Sequence, residues 1–155
     1  MSKVHYVPEG YSTITPYLII KGAAKAIEYY KTVFGAKELM RLDAPGGRIG
    51  HAELEIGSSK IMLADENLEM GHRSAETMGG SPISLHAYFP DCDAVIEKAA
   101  ANGAKIVRPA ADQFYGDRSG IFLDPFGHQW SVATHTEDVS AEDMAERARK
   151  AMPAA

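Results

Sequence analysis

Two hydrophobic rhythms, the alternation of a strand and the three-to-four spacing of a helix, succeed one another in the same order in both halves of the chain. In residues 12–20, β-branched and aromatic side chains predict a strand. Ala23, Ile27, Tyr30 and Phe34 then recur at helical spacing up to Gly35, a helix stop. Strands are predicted over residues 37–42, 49–56 and 60–64, parted by the turn formers Ala44-Pro45-Gly46-Gly47 and Gly57-Ser58-Ser59. The second half opens with a strand over residues 82–89, and Asp91 is placed as the N-cap of a helix that ends at Asn102-Gly103. Strands follow at residues 105–108, 120–123 and 129–134, the last two split by the turn Asp124-Pro125-Phe126-Gly127.

The order is strand, helix, three strands, and it occurs twice. The letters repeat as well: Ala26-Ile27-Glu28 with Gly35-Ala36-Lys37 is echoed by Val95-Ile96-Glu97 with Gly103-Ala104-Lys105. Two βαβββ units follow from this, residues 11–66 and 81–136, within one compact domain. Residues 66–80, with Gly71, Gly79, Gly80 and mixed charge, predict a mobile linker or loop. Ser140-Ala141-Glu142-Asp143 reads as a capping box opening an Ala-rich helix over residues 140–152, outside the repeat.

With 155 residues, 45% hydrophobic and 24% charged, the chain has the balance of an ordinary globular domain, which excludes a disordered or fibrous protein. At this length folding hides about two thirds of the unfolded surface, enough for one full core or two small fused ones. Lys+Arg of 16 against Asp+Glu of 21 leaves a net charge of −5. No basic run is present to neutralise phosphates, so nucleic acid is not an expected partner. The apolar run Tyr17-Leu18-Ile19-Ile20 falls far short of the roughly 20 residues of a membrane helix. Residues 1–10 lack the apolar core of a signal peptide. A cytoplasmic protein without membrane contact is expected. The single cysteine, Cys92, forms no internal disulfide and reads as a small buried apolar residue in a reducing compartment.

Six motifs stand in one order: Ile14-Thr15-Pro16-Tyr17-Leu18, Tyr30-Lys31-Thr32-Val33-Phe34-Gly35-Ala36, Gly50-His51-Ala52-Glu53-Leu54, Leu63-Ala64-Asp65-Glu66, Tyr115-Gly116-Asp117-Arg118 and Asp124-Pro125-Phe126-Gly127-His128-Gln129-Trp130. Together with the doubled unit, over about residues 11–152, they resemble the vicinal oxygen chelate superfamily of glyoxalases, bleomycin-resistance proteins, fosfomycin-modifying enzymes and extradiol dioxygenases, and within it the PhnB-like branch. The resemblance implies an α+β architecture, the glyoxalase/bleomycin-resistance/dioxygenase fold. In it, tandem βαβββ units form a curved mixed sheet with helices outside and a cavity within, and the C-terminal helix is an addition. A homodimer is implied too; the sequence contributes only the terminal helix, which could pack across a partner.

On such a fold, strand alternation sorts the side chains by face. Ala52, Leu54 and Ile56 are apolar and pack under the helix, so His51, Glu53 and Glu55 face the cavity. By the same parity Met62, the group Ser84, His86 and Tyr88, and the group Gln129, Ser131 and Ala133 line it, whereas Trp130 faces the helix as core. Metal-dependent relatives carry a His or Gln in the first strand and a Glu in the last strand of each unit. Those positions fall here on Thr15, Ser84, Met62 and Ser131, three hydroxyls and a thioether with no charge to offset the dehydration of a divalent ion. No cofactor is therefore expected, and direct transfer of glyoxalase or dioxygenase chemistry is undermined.

Two functional classes compete. In one, the protein binds a small organic ligand. Tyr17, Met62 and Tyr88 then give apolar contact, His51, Glu53, His86 and Arg118 give polar orientation, and Thr15, Ser84, Tyr115 and Ser131 complete the ligand-binding set. In the other, it is a lyase, isomerase or dioxygenase, with a divalent ion displaced to His51 and His86 or with His51 and Glu53 as a metal-free catalytic pair. Beside both stands a plainer reading, with Glu53 and Glu55 solvated and His51 a hydrogen-bonded surface or cavity residue. Arg118, next to a flexible hinge at Gly116, either clamps a ligand carboxylate or phosphonate in its planar fork or pairs with Asp117 or Asp124 to fix its loop. His128 and His135 lack sequence partners on the inner face and are expected to be structural or solvent-exposed. His5 and His72, in loops, carry no inference. No nucleophilic triad, phosphate-binding glycine loop or zinc-type cysteine pair is present, and Gly46-Gly47 after Pro45 makes a hairpin turn.

Overall fold

The computed structural model describes residues 4–152. Of the ten residues in which a leader was sought, the first three lie outside that range. The chain divides into two units at Gly80 and Ser81. The first contains β1 (Tyr17–Ile20), α1 (Ala23–Phe34), β2 (Lys37–Ala44), β3 (Arg48–Ile56), β4 (Ser59–Asp65) and a short α2 (Ala75–Met78). Its sheet runs β1-β4-β3-β2, with β1 parallel to β4 and the other pairs antiparallel. The parallel pair follows from α1, which carries the chain across one face before the strands return. Ala26, Ile27, Tyr30 and Val33 of α1 are buried, as are Leu18, Ile20, Ala52, Leu54, Ile61 and Leu63 of the strands. Alternation puts that strand set on one face, the helix side.

The second unit repeats the plan with β5 (Ser84–Tyr88), α3 (Cys92–Ala101), β6 (Lys105–Asp112), β7 (Asp117–Leu123) and β8 (Gln129–His135), followed by α4 (Ala141–Ala151). Its sheet runs β5-β8-β7-β6, again with the first and last strands parallel. Asp91 caps α3 by accepting from the Ala94 N–H, and Ser140 caps α4 by accepting from Asp143. Cys92 is buried. The result is the expected α+β fold: two open four-stranded mixed sheets, each with its helix, plus the additional C-terminal helix. Among the described residues, no helix is long and apolar enough to cross a membrane.

Four elements depart from the sequence expectation, each for a local reason. The first strand spans four residues instead of nine, because Pro16 has no N–H to give the ladder; only its carbonyl continues the pairing, accepting from Met62 at 2.9 Å. Thr15 therefore precedes the strand. β6 continues to Asp112, past Pro109, because residues 109 and 110 together face Gly120 in a β-bulge between the pairs Arg108–Ile121 and Ala111–Ser119. A Cβ on Gly120 would lie 2.6 Å from Ile96 Cδ1 and 2.9 Å from the Ala110 nitrogen, so only glycine admits this close approach. The segment 66–80 is pinned where a mobile loop was expected. Asn67 and His72 exchange backbone hydrogen bonds at 2.9 and 2.8 Å, and the Glu66 carboxylate accepts from the Ser74 N–H and the Thr77 hydroxyl. Gly116, expected as a hinge, is buried at φ 91°, and a Cβ there would lie 2.2 Å from the Glu137 carbonyl oxygen. It is a packing glycine.

Candidate functional site

The face of the first sheet away from α1 carries a row of side chains set by register. Tyr17 lies opposite Met62, Met62 opposite Glu53, and Glu53 opposite Met40. One step along, Ala64 pairs with Ile19 and Leu42 with His51. On this face four polar groups join in a continuous chain. The Tyr17 hydroxyl lies 2.7 Å from His51 Nδ1, His51 Nε2 lies 3.0 Å from Glu53 Oε1, and the Tyr11 hydroxyl donates to Glu53 Oε2. Burial holds the Tyr17 phenol above its ordinary pKa, so it keeps its proton at neutral pH. With the phenol as donor to Nδ1, the ring has its Nε2–H to donate to the carboxylate.

The end of this chain meets a cavity of about 220 Å³ lined by Tyr17, Ile49, Ala64, Met70, His72 and Arg48 among others. Tyr17, Arg48, Asp65, Asn67 and His72 are its polar groups beside Ile49, Ala64 and Met70, and its volume is below the roughly 300–1,000 Å³ of sites for drug-sized ligands. Of its lining, Tyr17 was anticipated from sequence. His72 reads as a loop residue in the sequence; the Asn67–His72 bridge brings it to the cavity, and nothing in the letters 67–72 announces that bridge. Tyr11, too, was missed, since it reaches Glu53 across 42 positions. A wider depression of about 440 Å³, lined by Lys21, Arg48, Asp65, Glu66 and Glu69 among others, is dominated by charge.

The companion acid on the same face, Glu55, is paired with Lys60 at 2.7 Å, and the hydrogen bond from Lys60 holds its carboxyl below the ordinary range. Lys60 also stands 5.8 Å from the centre of the Tyr11 ring. Glu53, its side chain 16% exposed, is enclosed by hydrogen bonds rather than solvated.

In the second unit, His86 lies opposite Ser131 across the parallel ladder, and its Nδ1 is 2.9 Å from the Ser131 hydroxyl. The His86 and Tyr88 rings meet edge to face at 4.7 Å, and Gln129 donates to Ser84 Oγ at 2.7 Å. The Tyr115 hydroxyl lies 3.4 Å from Ser119 Oγ. Arg118 pairs with neither Asp117 nor Asp124. Its fork closes side-on over Asp93 at 2.6 and 2.9 Å, with Asp112 at 3.4 Å. The N-terminal turn of α3 brings Asp93 there, a contact spanning 25 positions that no local pattern signals. A ligand carboxylate would have to displace Asp93 from that fork. Asp117 instead receives His135, whose other nitrogen meets Asp138. The two carboxylates, Asp138 foremost, raise the His135 pKa. His128 and Trp130 are buried, and the Trp130 indole donates to Asp124.

A divalent ion of the kind the superfamily often uses finds poor donors at the four inherited positions. Met62 offers a thioether beside Tyr17, Ser84 is already engaged by Gln129 and Ser131 by His86, and Thr15 precedes its strand. Both ring nitrogens of His51 are likewise engaged. These groups do not fit the metal.

Known proteins share the fold. The model of the Glyoxalase/Bleomycin resistance protein/Dioxygenase superfamily matches residues 5–132. The chain is 37% identical over 134 residues to the uncharacterized protein Rv0887c of Mycobacterium tuberculosis, covering 84% of this chain and 79% of that one. Among solved structures, protein PA1353 from Pseudomonas aeruginosa superposes with a TM-score of 0.67 at 24% identity, over 81% of this chain and 99% of that one. A PhnB protein from Bacillus cereus does so with a TM-score of 0.64 at 18% identity, over 79% and 99%. Doubled βαβββ units, matched along most of their length by the family's own model, make this chain a member of the glyoxalase/bleomycin resistance protein/dioxygenase superfamily.

Proposed function

We propose that the protein binds a small organic ligand in the cavity of its first unit without a metal ion. The observation that carries this reading is that the Tyr11–Glu53–His51–Tyr17 chain ends on Tyr17, which lines the cavity. In this reading Ala64, Ile49 and Met70 give apolar contact and the Tyr17 hydroxyl orients a polar group of the ligand. When the ligand gives an acidic proton to the Tyr17 oxygen, the phenol can pass its own proton to His51 Nδ1, and Glu53 holds the imidazole and stabilises the imidazolium so formed. The same chain therefore serves binding and, for a suitable ligand, proton transfer. The alternative is a metal ion at His51, which would require that residue to give up one of its two hydrogen bonds. The motif set supports the PhnB-like branch as the finer assignment, and with it we propose a cytoplasmic homodimer.

A thermal-shift screen of untagged protein against neutral aromatics such as phenol, catechol and indole tests the reading, with elemental analysis of the same sample. The expected result is a compound that raises Tm of the metal-free protein and loses most of that effect in Tyr17→Phe. Stoichiometric metal that disappears in His51→Ala would move the assignment to the metal enzyme.

A further inference from the structure

The second unit holds an arginine with one unmet donor, the Nε of Arg108. Arg108 sits on β6 in the row Arg108–Ile121–Ser131–His86, on the sheet face that also carries Ser119 and Tyr88. Its Nη2 donates to Ser119 Oγ at 3.0 Å, while its Nε is buried and has no hydrogen-bond partner. Arg118 and Arg147 of the same unit close their forks over Asp93 and Glu137. Among the described residues, no carboxylate does this for Arg108. A guanidinium keeps its charge at any ordinary pH, and a buried donor without a partner is costly, so the arrangement is incomplete by itself.

What surrounds Arg108 is donor-rich. Ser119, 1% exposed, accepts from Arg108, and its Oγ lies 3.4 Å from the Tyr115 hydroxyl; one of these two hydroxyls donates to the other, so the pair keeps one proton to give. The register shift at Val107, between the pairs Ile106–Phe122 and Arg108–Ile121, sets this geometry, since it places Arg108 opposite Ile121 on the face of Ser119.

We propose that Arg108, Ser119 and Tyr115 form a binding site for an oxyanion, the carboxylate, phosphate or phosphonate end of a small molecule whose remainder lies over Ile121 toward Ser131 and His86. The site shares no residue with the Tyr17 cavity. It stands or falls independently of the reading above.

Calorimetric titration of the full chain with inorganic phosphate, methylphosphonate and acetate at constant ionic strength, against a chloride control, tests it. Saturable binding of at least one oxyanion is expected, and the preferred probe assigns the class. Arg108→Gln should weaken that binding about tenfold or more, and Arg108→Lys, which keeps the charge but loses the planar fork, should weaken it as well. Tyr17→Phe should leave it unchanged. Apo Arg108→Gln should melt no lower than the parent, since an unmet donor has been removed. If Arg108→Gln does not fold, Tyr115→Phe replaces it, with reduced affinity expected and full affinity counting against the site. Absence of saturable binding by all three probes, or binding that survives Arg108→Gln, overturns the proposal.

Discussion

Histidines on this chain are distinguished by what faces them. His51 lies between a phenol and a carboxylate, and its neighbour two positions on, Glu53, was visible in sequence as a strand pair on one face. The phenols at either end were not paired with them in advance, because Tyr11 and Tyr17 arrive from another strand and its approach. His135 lies between Asp117 and Asp138, 18 and 3 positions away. Its folded pKa stands above the unfolded value, so its pairs stabilise the fold fully below about pH 6.5 and lose that effect as pH rises through the raised folded value. The Tm difference between the parent and His135→Gln should therefore be widest near about pH 5–6 and close toward pH ~9. A difference that stays constant over that range would contradict the pairing.

At the scale of elements, one side chain ties three of them together. Helix α1 starts at Gly22, which has no side chain to cap it. Asp65, at the end of β4, accepts from the Gly22 and Ala23 N–H groups at 3.0 and 2.9 Å with one oxygen and from the Ile49 N–H at 2.7 Å with the other. Asp65→Ala strips the cap and leaves the β3 amide unmet, and should destabilise by about 2 kcal/mol in denaturant unfolding. A loss below about 0.5 kcal/mol would show that water replaces the carboxylate. Helix α1 itself was legible to the residue, since periodicity and Gly35 both mark it. The length of β1, the bulge in β6 and the turn of helix at Ala75–Met78 were less so. They depend on a missing proline donor, a close approach between strands and a carboxylate eight positions upstream.

For the molecule as a whole, family membership and the doubled plan raise the question of assembly. Helix α4 has no buried residue and is held within its unit by Arg147, which pairs with Glu137 and donates to the Phe114 carbonyl. The proposed homodimer should appear in light scattering at twice the 16.8 kDa chain mass. A single-chain mass at micromolar concentration would refute it.

The order of elements, the repeat and the helix faces were carried by the sequence alone, because hydrophobic period and turn chemistry act between residues a few positions apart. Strand parity likewise placed His51, Glu53 and His86 on the open faces of their sheets. Which groups then met there was decided by tertiary structure. Asp93 closed the Arg118 fork from 25 positions away, the Asn67–His72 bridge brought His72 to the cavity, and Arg108 was left with an unmet donor. A charged or polar side chain has several chemically equal partners in the sequence, and only the folded register selects among them.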